Sequence, residues 1–311
     1  MRRTYWLTGF LFVAHFIFAA FAPFVAAEEN QILPAVAAAA PIAIEGQHVF
    51  VCGHSFHVYI AKPLEELAKA AGIKGHVNAG VQFIGGSSVT QHWNLPEEKN
   101  KAKQALMKGD VDVLTLSPNW IIPDESIDRF IDLALKNNPH ARIVVQMSWP
   151  AFDSGSFANA IKKNEERDQK TVEQLTQAME PLKSEFEKQM RAINEKHGKQ
   201  VLFVTPVANA VLALRDKVIR GDAPGIAKQS DLFVDALGHG KEPIQLLATY
   251  CHFAAIYKRS PVGLAAFEKP GDENWNKLNR MLQQIAWDSV RQYPMSGVAP
   301  EEKKNAVEDK K

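Results

Sequence analysis

The sequence is poor in cysteine and carries almost no net charge. Its two cysteines, Cys52 and Cys251, are too few for a disulfide framework and lack metal-site spacing. We therefore predict two separate buried thiols in preference to one disulfide bond. The formal net charge of +1 provides no field that would attract nucleic acid or an acidic membrane surface. Disulfide-stapled domains and nucleic-acid-binding proteins are thus disfavoured classes.

Cofactor motifs are also missing. No Gly-x-Gly-x-x-Gly sequence follows the first predicted strand and no Walker A pattern occurs, which argues against a bound dinucleotide or nucleotide. Three histidines, His54, His57 and His239, lack the spacing that puts two ligands on one helix face in zinc hydrolases. We therefore predict no metal and no cofactor.

The longest apolar run stands at the N-terminus. Two arginines, the apolar stretch 6–20 and the small residues 25–27 follow one another as in a secretory signal peptide. We predict that residues 1–27 are cleaved and that the protein is secreted or periplasmic, without stable membrane insertion. The alternative is an uncleaved membrane anchor, which would need the run to extend through His15 and Pro23.

The remainder predicts one α/β domain between two polar or low-complexity segments. Residues 28–45 are an Ala/Pro-rich linker, residues 46–298 the domain, and residues 299–311 a charged, disordered tail. Predicted strands occupy 48–52, 77–84, 112–116, 142–147 and 201–204. Predicted helices occupy 63–72, 97–108, 126–136, 208–220, 243–257 and 274–293, with a long charged helical insertion at 162–196. This alternation indicates βαβ units around a parallel sheet.

The first strand leads into the turn Gly53-His54-Ser55-Phe56, which precedes a helix. A serine at such a turn is exposed above the sheet, close to backbone N–H groups that can stabilise an oxyanion. Ser55 is therefore a candidate nucleophile. A helix cap is an equally good interpretation of this turn by itself.

Three later segments add polar groups and glycine at the ends of other elements. They are Gly85-Gly86-Ser87 after the second strand, Ser117-Pro118-Asn119-Trp120 after the third, and Asp235-x-x-x-His239 ahead of a late helix. Glycine lets a backbone N–H approach a ligand, and an asparagine amide can donate to an oxyanion. A histidine with a nearby carboxylate suits a base and the group that orients it.

These four blocks, in this order, resemble those of the SGNH, or GDSL-like, hydrolases. The similarity extends over roughly residues 48–263. It implies a three-layer α/β/α sandwich with a central parallel sheet of flavodoxin-like type. It also implies that Ser55 is the nucleophile, His239 the base and Asp235 its orienting carboxylate. The oxyanion hole would be formed by the backbone N–H groups of Ser55 and Gly86 and the side chain of Asn119.

The blocks depart from the family pattern in three places. His54 replaces the aspartate that usually precedes the serine, the third block keeps only Asn119, and Asp235 stands four residues before His239 where three are usual. Asp231 is the reserve candidate for the orienting carboxylate.

The resemblance predicts an exported serine esterase that cleaves an acyl ester of a carbohydrate or a lipid, a small-molecule or glycan substrate. The departures leave a catalytically inactive binding protein of the cell envelope as the alternative. His54, His57 and Trp120 are candidate substrate-binding residues, whose other interpretation is a place at the pocket rim or in the core. The oligomeric state is left open.

Overall fold

The computed structural model describes residues 45–299. Its strands are β1 (His48–Gly53), β2 (Val77–Phe83), β3 (Val113–Leu116), β4 (Arg142–Gln146) and β5 (Leu202–Thr205). Its helices are α1 (Ala61–Ala70), α2 (Val89–Trp93), α3 (Lys101–Lys108), α4 (Ser126–Asn137), α5 (Val172–Lys196), α6 (Val207–Ile219), α7 (Glu242–Tyr257) and α8 (Glu273–Gln292).

The five strands form one parallel sheet in the order β2-β1-β3-β4-β5. This is the flavodoxin-like order, in which ligands bind beyond the carboxyl ends of the strands where the order reverses. Here the reversal lies at β1, between β2 and β3. The segments that follow these three strands are therefore neighbours, although they are far apart in the sequence.

Alternating side chains of the strands supply two separate hydrophobic cores. Val49 and Val51 of β1 belong to the core on one face, and Phe50 and Cys52 to the core on the other. This period of two is what a pleated strand buried on both faces requires. Cys52 and Cys251 are buried free thiols, so the prediction of two separate thiols is confirmed.

Helices cover both faces of the sheet. Most buried apolar residues of α1, α6, α7 and α8 pack in one core, and most of those of α3, α4 and α5 in the other. From Leu246 to Tyr257, α7 is buried on all sides between the sheet and α8. Such a helix is apolar all round because no side of it faces water. The predicted three-layer α/β/α sandwich with a central parallel sheet is confirmed.

The five predicted strands are confirmed to within one residue at either end, but two predicted helices were too long. The charged helix predicted at 162–196 begins only at Val172, after a short 3-10 helix at Asn164–Gln169. The helix predicted at 97–108 begins at Lys101, because Asn100 caps it by accepting a hydrogen bond from the Lys103 N–H.

Some predictions concern residues outside the described range. The predicted signal peptide lies there entirely, as do the linker apart from Glu45 and the tail apart from Ala299. In the part of the chain that the structure does describe, no helix combines the length and apolarity needed to cross a membrane.

Candidate active site

Ser55 lies in the turn between β1 and a 3-10 helix, Val58–Ile60, that leads into α1. The N-caps of these two helices are His57 and Ile60, and neither has a side-chain capping hydrogen bond. Ser55 is therefore not a helix cap. Its Oγ instead lies 3.0 Å from Nε2 of His239, which comes from the loop ahead of α7.

His239 links Ser55 to a carboxylate. Its Nδ1 lies 2.7 Å from Oδ2 of Asp235. A carboxylate only accepts hydrogen bonds, so Nδ1 carries the proton and Nε2 of the neutral ring is left as the acceptor for the Ser55 hydroxyl. The three side chains thus form a continuous chain in which the Ser55 proton points at a nitrogen that can take it.

The spacing of four residues between Asp235 and His239 is accommodated by a tight turn. The Gly238 N–H donates to the Asp235 carbonyl at 3.2 Å, and Gly238 has a φ of +103°, a conformation that favours glycine. Asp235 Oδ1 also accepts from the backbone N–H groups of Gly238 (2.9 Å) and His239 (3.2 Å). The carboxylate therefore shapes the turn that brings the imidazole back to it.

Asp231, the reserve candidate, is exposed and faces another way. Its Oδ2 accepts from the backbone N–H of Lys228 at 3.0 Å.

Burial acts to raise the pKa of Asp235, but the hydrogen bonds from the His239 ring and from the His239 and Gly238 N–H groups outweigh it. The pKa of Asp235 is consequently below its ordinary value, and the carboxylate is ionised at neutral pH.

Aromatic rings hold the imidazole from the side. Phe56 contacts the His239 ring edge to face at 5.4 Å and stacks on Trp149 at 4.8 Å between centroids. The Trp149 indole N–H donates to the Gly238 carbonyl at 3.0 Å. The residue that follows Ser55 thus positions the ring that contacts Ser55.

Gly86 and Asn119 line the same cavity as Ser55 and His239. Gly86 has a φ of +63°, so the loop after β2 favours glycine there. The Asn119 amide donates one N–H to the Gly86 carbonyl at 3.1 Å, and its oxygen accepts from the Ile121 N–H. An amide nitrogen has two N–H bonds, so one donor of Asn119 remains for a ligand.

His54 supports the turn from below. Its Nδ1 accepts from the Phe56 N–H at 3.3 Å, so the proton is on Nε2, which lies 3.4 Å from the Pro118 carbonyl and 3.2 Å from Ser117 Oγ. Burial lowers the pKa of His54 to about 4, so the ring is neutral. His54 touches the cavity wall, but both nitrogens are used inside the protein. Trp120 also lines the cavity and donates to the Trp149 carbonyl at 3.3 Å.

His57 belongs to the core and not to the cavity. It is completely buried, and its ring nitrogens bond to Gln146 (3.1 Å) and Thr115 (3.0 Å). The suggestion that His57 binds substrate is corrected accordingly. Two residues after Ser55, the chain has turned far enough for the side chain to point into the sheet layer.

A buried polar network beside the Gly85-Gly86 loop was not predicted from the sequence. Ser87 Oγ lies 2.7 Å from His92 Nε2, and His92 Nδ1 lies 3.2 Å from the Gln82 amide nitrogen. Ser87 also donates to the Ile84 carbonyl at 2.9 Å. This network braces the Gly85-Gly86 loop. The polar residues of β2 and α2 were visible in the sequence, but nothing in their spacing connects them.

A metal site is not needed to explain the one suitable cluster found among residues 45–299. Asp128, Asp132 and His197 bring ligand atoms together on the surface formed by α4 and α5. The Lys196 ammonium already lies 2.5 Å from Asp128 and 3.7 Å from Asp132. We assign the cluster to ion pairs between the two helices.

Comparisons with known proteins were made of sequence and of structure. No protein-family model matches the chain, and no curated protein matches it. Solved structures also match, and three of them are described here, each of low sequence identity to this chain. The first is a protein from Slackia heliotrinireducens named as an SGNH hydrolase, with 13% identity and a TM-score of 0.40 over 67% of this chain and 97% of that one.

The second is a protein from Parabacteroides merdae named as a GDSL-like lipase, with 13% identity and a TM-score of 0.41 over 70% of this chain and 98% of that one. The third is phospholipase A1 from Streptomyces albidoflavus, with 11% identity and a TM-score of 0.38 over 68% and 99%. The chain is thus similar to proteins named as an SGNH hydrolase, a GDSL-like lipase and a phospholipase A1.

Proposed function

We propose that this protein is a serine ester hydrolase that works through an acyl-enzyme. The observation that carries the proposal is the chain of contacts from Ser55 Oγ to His239 Nε2 (3.0 Å) and from His239 Nδ1 to Asp235 Oδ2 (2.7 Å). A nucleophile, a base within hydrogen-bond reach and a group that orients the base are the parts that this chemistry requires.

In the first half of the reaction, Ser55 Oγ attacks the ester carbonyl and its proton passes to His239 Nε2. The imidazolium that forms is stabilised by the ionised Asp235. His239 then gives the proton to the departing alcohol oxygen as the ester C–O bond breaks. In the second half, water attacks the acyl carbonyl as His239 takes one of its protons. His239 returns that proton to Ser55 Oγ as the acyl C–O bond breaks, which releases the acid and the free serine.

The negative oxygen of the tetrahedral intermediate needs hydrogen-bond donors in place before it forms. We assign this role to the backbone N–H groups of Ser55 and Gly86 and to the Asn119 side chain. Their position around one cavity and the unused N–H of Asn119 support the assignment.

Export of the mature chain is part of the proposal and has its own test. Mass spectrometry of the exported protein is expected to find an N-terminus near Glu28, and an intact Met1 would contradict export with cleavage.

The competing proposal is a binding protein without activity, based on the altered motif residues. The direct contact between Ser55 and His239 weighs against it, because a binding site has no need of an aligned proton acceptor. Hydrolysis of p-nitrophenyl esters by the wild type and by Ser55→Ala decides between the two. We expect turnover by the wild type and a loss of roughly 10⁴-fold or more in the variant.

Ser184→Ala is the matched control, since Ser184 is an exposed residue of α5 that does not line the cavity. It should hydrolyse the esters at the wild-type rate. A serine-directed fluorophosphonate should add one adduct to the wild type and to Ser184→Ala, and none to Ser55→Ala, by intact-protein mass. No turnover of any ester by the wild type would overturn the proposal of an enzyme, and equal turnover by Ser55→Ala would overturn Ser55 as its nucleophile.

A further inference from the structure

The candidate active site opens into a cavity much larger than the reacting atoms need. Its volume is about 650 Å³, within the range of pockets that enclose a whole small ligand. Ser55 and His239 lie in its wall, so whatever fills the cavity is attached to the reacting ester. An acetyl group would leave most of this space to water.

The cavity is lined mainly by apolar side chains. Large members of the wall include Trp120, Phe152, Leu182 and Leu237, and no Asp, Glu, Lys or Arg side chain of residues 45–299 lines it. His54 adds no charge at neutral pH, because burial lowers its pKa to about 4. A sugar would have to leave many hydroxyl groups unpaired against such a wall, which is costly. A chain of methylene groups would not.

Large hydrophobic side chains also surround the mouth. Phe83, Ile121 and Phe157 line the cavity and have 57%, 70% and 89% of their surface exposed. Exposed apolar residues scattered singly over a surface are ordinary, but a group of three around one opening indicates a binding site for an apolar group. The apolar character therefore continues from the interior to the rim.

Part of the wall is held in a strained backbone conformation. Phe152 and Asp153 have φ values of +56° and +51°, which are unusual for residues other than glycine. Asp153 is buried and bonds to Arg215 at 2.7 Å, while the Phe152 N–H donates to the Leu237 carbonyl at 3.0 Å. Such conformations persist where surrounding contacts enforce them, commonly at ligand sites. Here the enforced residue, Phe152, lines the cavity.

We propose that this cavity binds a linear alkyl chain of the ester, so that the preferred substrates are esters with a chain of about six carbons or more. The proposal rests on the proposed ester hydrolase function. It names an apolar chain and excludes an acetylated sugar as the preferred substrate. The chain belongs to the acyl group or to the alcohol, and these two sources are separated by the experiment.

The first test is a series of p-nitrophenyl esters from acetate to decanoate, measured below their aggregation limits. Each methylene buried is worth about a fourfold gain, so burial of about half of the methylenes that octanoate adds to acetate should raise kcat/KM by roughly 60-fold. A parallel comparison of ethyl acetate with octyl acetate places the chain on the alcohol side if only that pair differs. If chain length on neither side raises kcat/KM, the proposal is wrong while the esterase function stands. If no ester is cleaved, the function itself fails.

Two variants connect the effect to the cavity. Leu182→Trp fills space from α5 and should lower octanoate turnover at least tenfold while sparing acetate. Its matched control is Leu133→Trp, at a half-buried position of α4 outside the cavity, which should lower neither. Phe157→Ser removes an 89% exposed ring and should raise KM for octanoate without raising it for acetate. Met107→Ser, on α3, should leave both KM values unchanged. Equal effects on both esters would contradict the assignment of the cavity.

A different observation assigns a role to Arg167, which lies in the charged helical insertion predicted at 162–196. Arg167 is completely buried. Its Nη2 donates to the carbonyls of Asp235 and Ala236, both at 3.0 Å, and its guanidinium lies 4.2 Å from the Phe233 ring centroid. The Arg167 side chain thus binds the backbone of the loop whose Asp235 side chain contacts His239.

We infer that Arg167 is a positioning residue for the Asp235–His239 turn, acting through two backbone carbonyls and not on the substrate. Asp153 lies 3.6 Å from Arg167 and 2.7 Å from Arg215, so both arginines share one buried carboxylate. Only Arg167 reaches the Asp235 loop, while Arg215 donates to Gln229 at 2.7 Å. This inference also rests on the proposed function.

Arg215→Lys is therefore a matched control for Arg167→Lys, since both changes keep a charge in the same buried cluster. Both should lower the melting temperature. Only Arg167→Lys should lower kcat, by roughly 10- to 100-fold with KM nearly unchanged, and shift the ¹H signal of the His239 Nδ1–H. If both variants lose kcat equally per folded molecule, or neither does, Arg167 has no positioning role. If Arg167→Lys does not fold, Arg167→Gln and Arg167→Met are compared in its place. Glutamine keeps N–H donors for the two carbonyls, so Arg167→Gln should keep a higher kcat than Arg167→Met.

Discussion

Two serine–histidine pairs lie on the same side of the molecule and differ in one partner. In the first, Ser55 Oγ is 3.0 Å from His239 Nε2, and in the second, Ser87 Oγ is 2.7 Å from His92 Nε2. The third member is Asp235 in the first pair and Gln82 in the second. By distance alone the second pair looks the better one.

The third partner decides which way the proton points. Gln82 Oε1 accepts from the Ala102 N–H, so its amide nitrogen faces and donates to His92 Nδ1. The His92 proton must then be on Nε2, which donates a hydrogen bond to Ser87 Oγ, and the Ser87 hydroxyl in turn donates a hydrogen bond to the Ile84 carbonyl. His92 cannot take a proton from Ser87. Asp235 imposes the opposite tautomer on His239, whose Nε2 can therefore take a proton from Ser55.

Asp235→Asn should convert the first pair into the second. Its Oδ1 would remain with the N–H groups of Gly238 and His239, so its amide nitrogen would face His239 Nδ1 as Gln82 faces His92. The proton would move to Nε2, and Ser55 would lose its base. We expect kcat to fall by roughly 10²- to 10⁴-fold, with little change in the melting temperature.

Ester turnover and thermal unfolding of Asp235→Asn check this prediction. Wild-type kcat at neutral pH would show that the carboxylate is not what sets the tautomer. A variant that is inactive because it is unfolded would be recognised by its circular dichroism spectrum.

The second effect concerns the buried histidines, which set stability and not rate. Burial lowers the pKa of His54 and His92 to about 4 and that of His57 to about 3. In the unfolded chain the same groups titrate near 6.5, so below that pH the unfolded state binds more protons than the folded one. The free energy of unfolding that the neutral histidines contribute is therefore fully present above pH 6.5 and is lost as the pH falls toward 4. The loss by pH 4 is roughly 3 kcal/mol for each histidine whose pKa burial lowers to about 4.

Chemical unfolding measured between pH 7.5 and 4.5 checks this window. The slope should shrink in His57→Gln, because one of the proton-linked groups is gone while an amide can still bond to Thr115 or Gln146. A free energy of unfolding that stays constant over this range would contradict buried neutral histidines.

The strand ends were predictable because they follow from local rules. Short β-branched runs identify strands, parallel strands share one carboxyl edge, and Ser55, Gly86 and Asn119 each follow a strand directly. Knowing the fold therefore places these residues near one another. The pairing of Asp235 with His239 was harder, because the fit of a four-residue spacing depends on the turn at Gly238.

The cavity wall and its braces were not predictable from the sequence. Residues 151–160 have no regular period, and Phe152 lines the cavity only because its backbone is held in an uncommon conformation. Arg167 stands in a charged run that has the pattern of a solvated surface. Its burial results from contacts with residues near position 235, almost 70 positions along the chain.

Ser87→Ala tests the structural pair. Removing the hydroxyl leaves the buried His92 Nε2–H without an acceptor, which should cost about 1–3 kcal/mol of unfolding free energy. Since no proton is transferred there, kcat should change less than tenfold. Urea unfolding and ester turnover provide both numbers. A loss of turnover as large as that of Ser55→Ala would mean that the two pairs are not distinct in function.

The smallest effect is expected from Asp231→Asn, and it sharpens the contrast with Asp235→Asn. Asp231 is exposed and accepts one hydrogen bond from the Lys228 N–H, which an asparagine oxygen can also accept. The unfolding free energy should change by less than about 0.5 kcal/mol, as for an ordinary surface substitution, and kcat should stay at the wild-type value. The same two assays measure it. If Asp231→Asn instead lowers kcat as Asp235→Asn does, the carboxylate that orients His239 during turnover is not the one that contacts it in this structure.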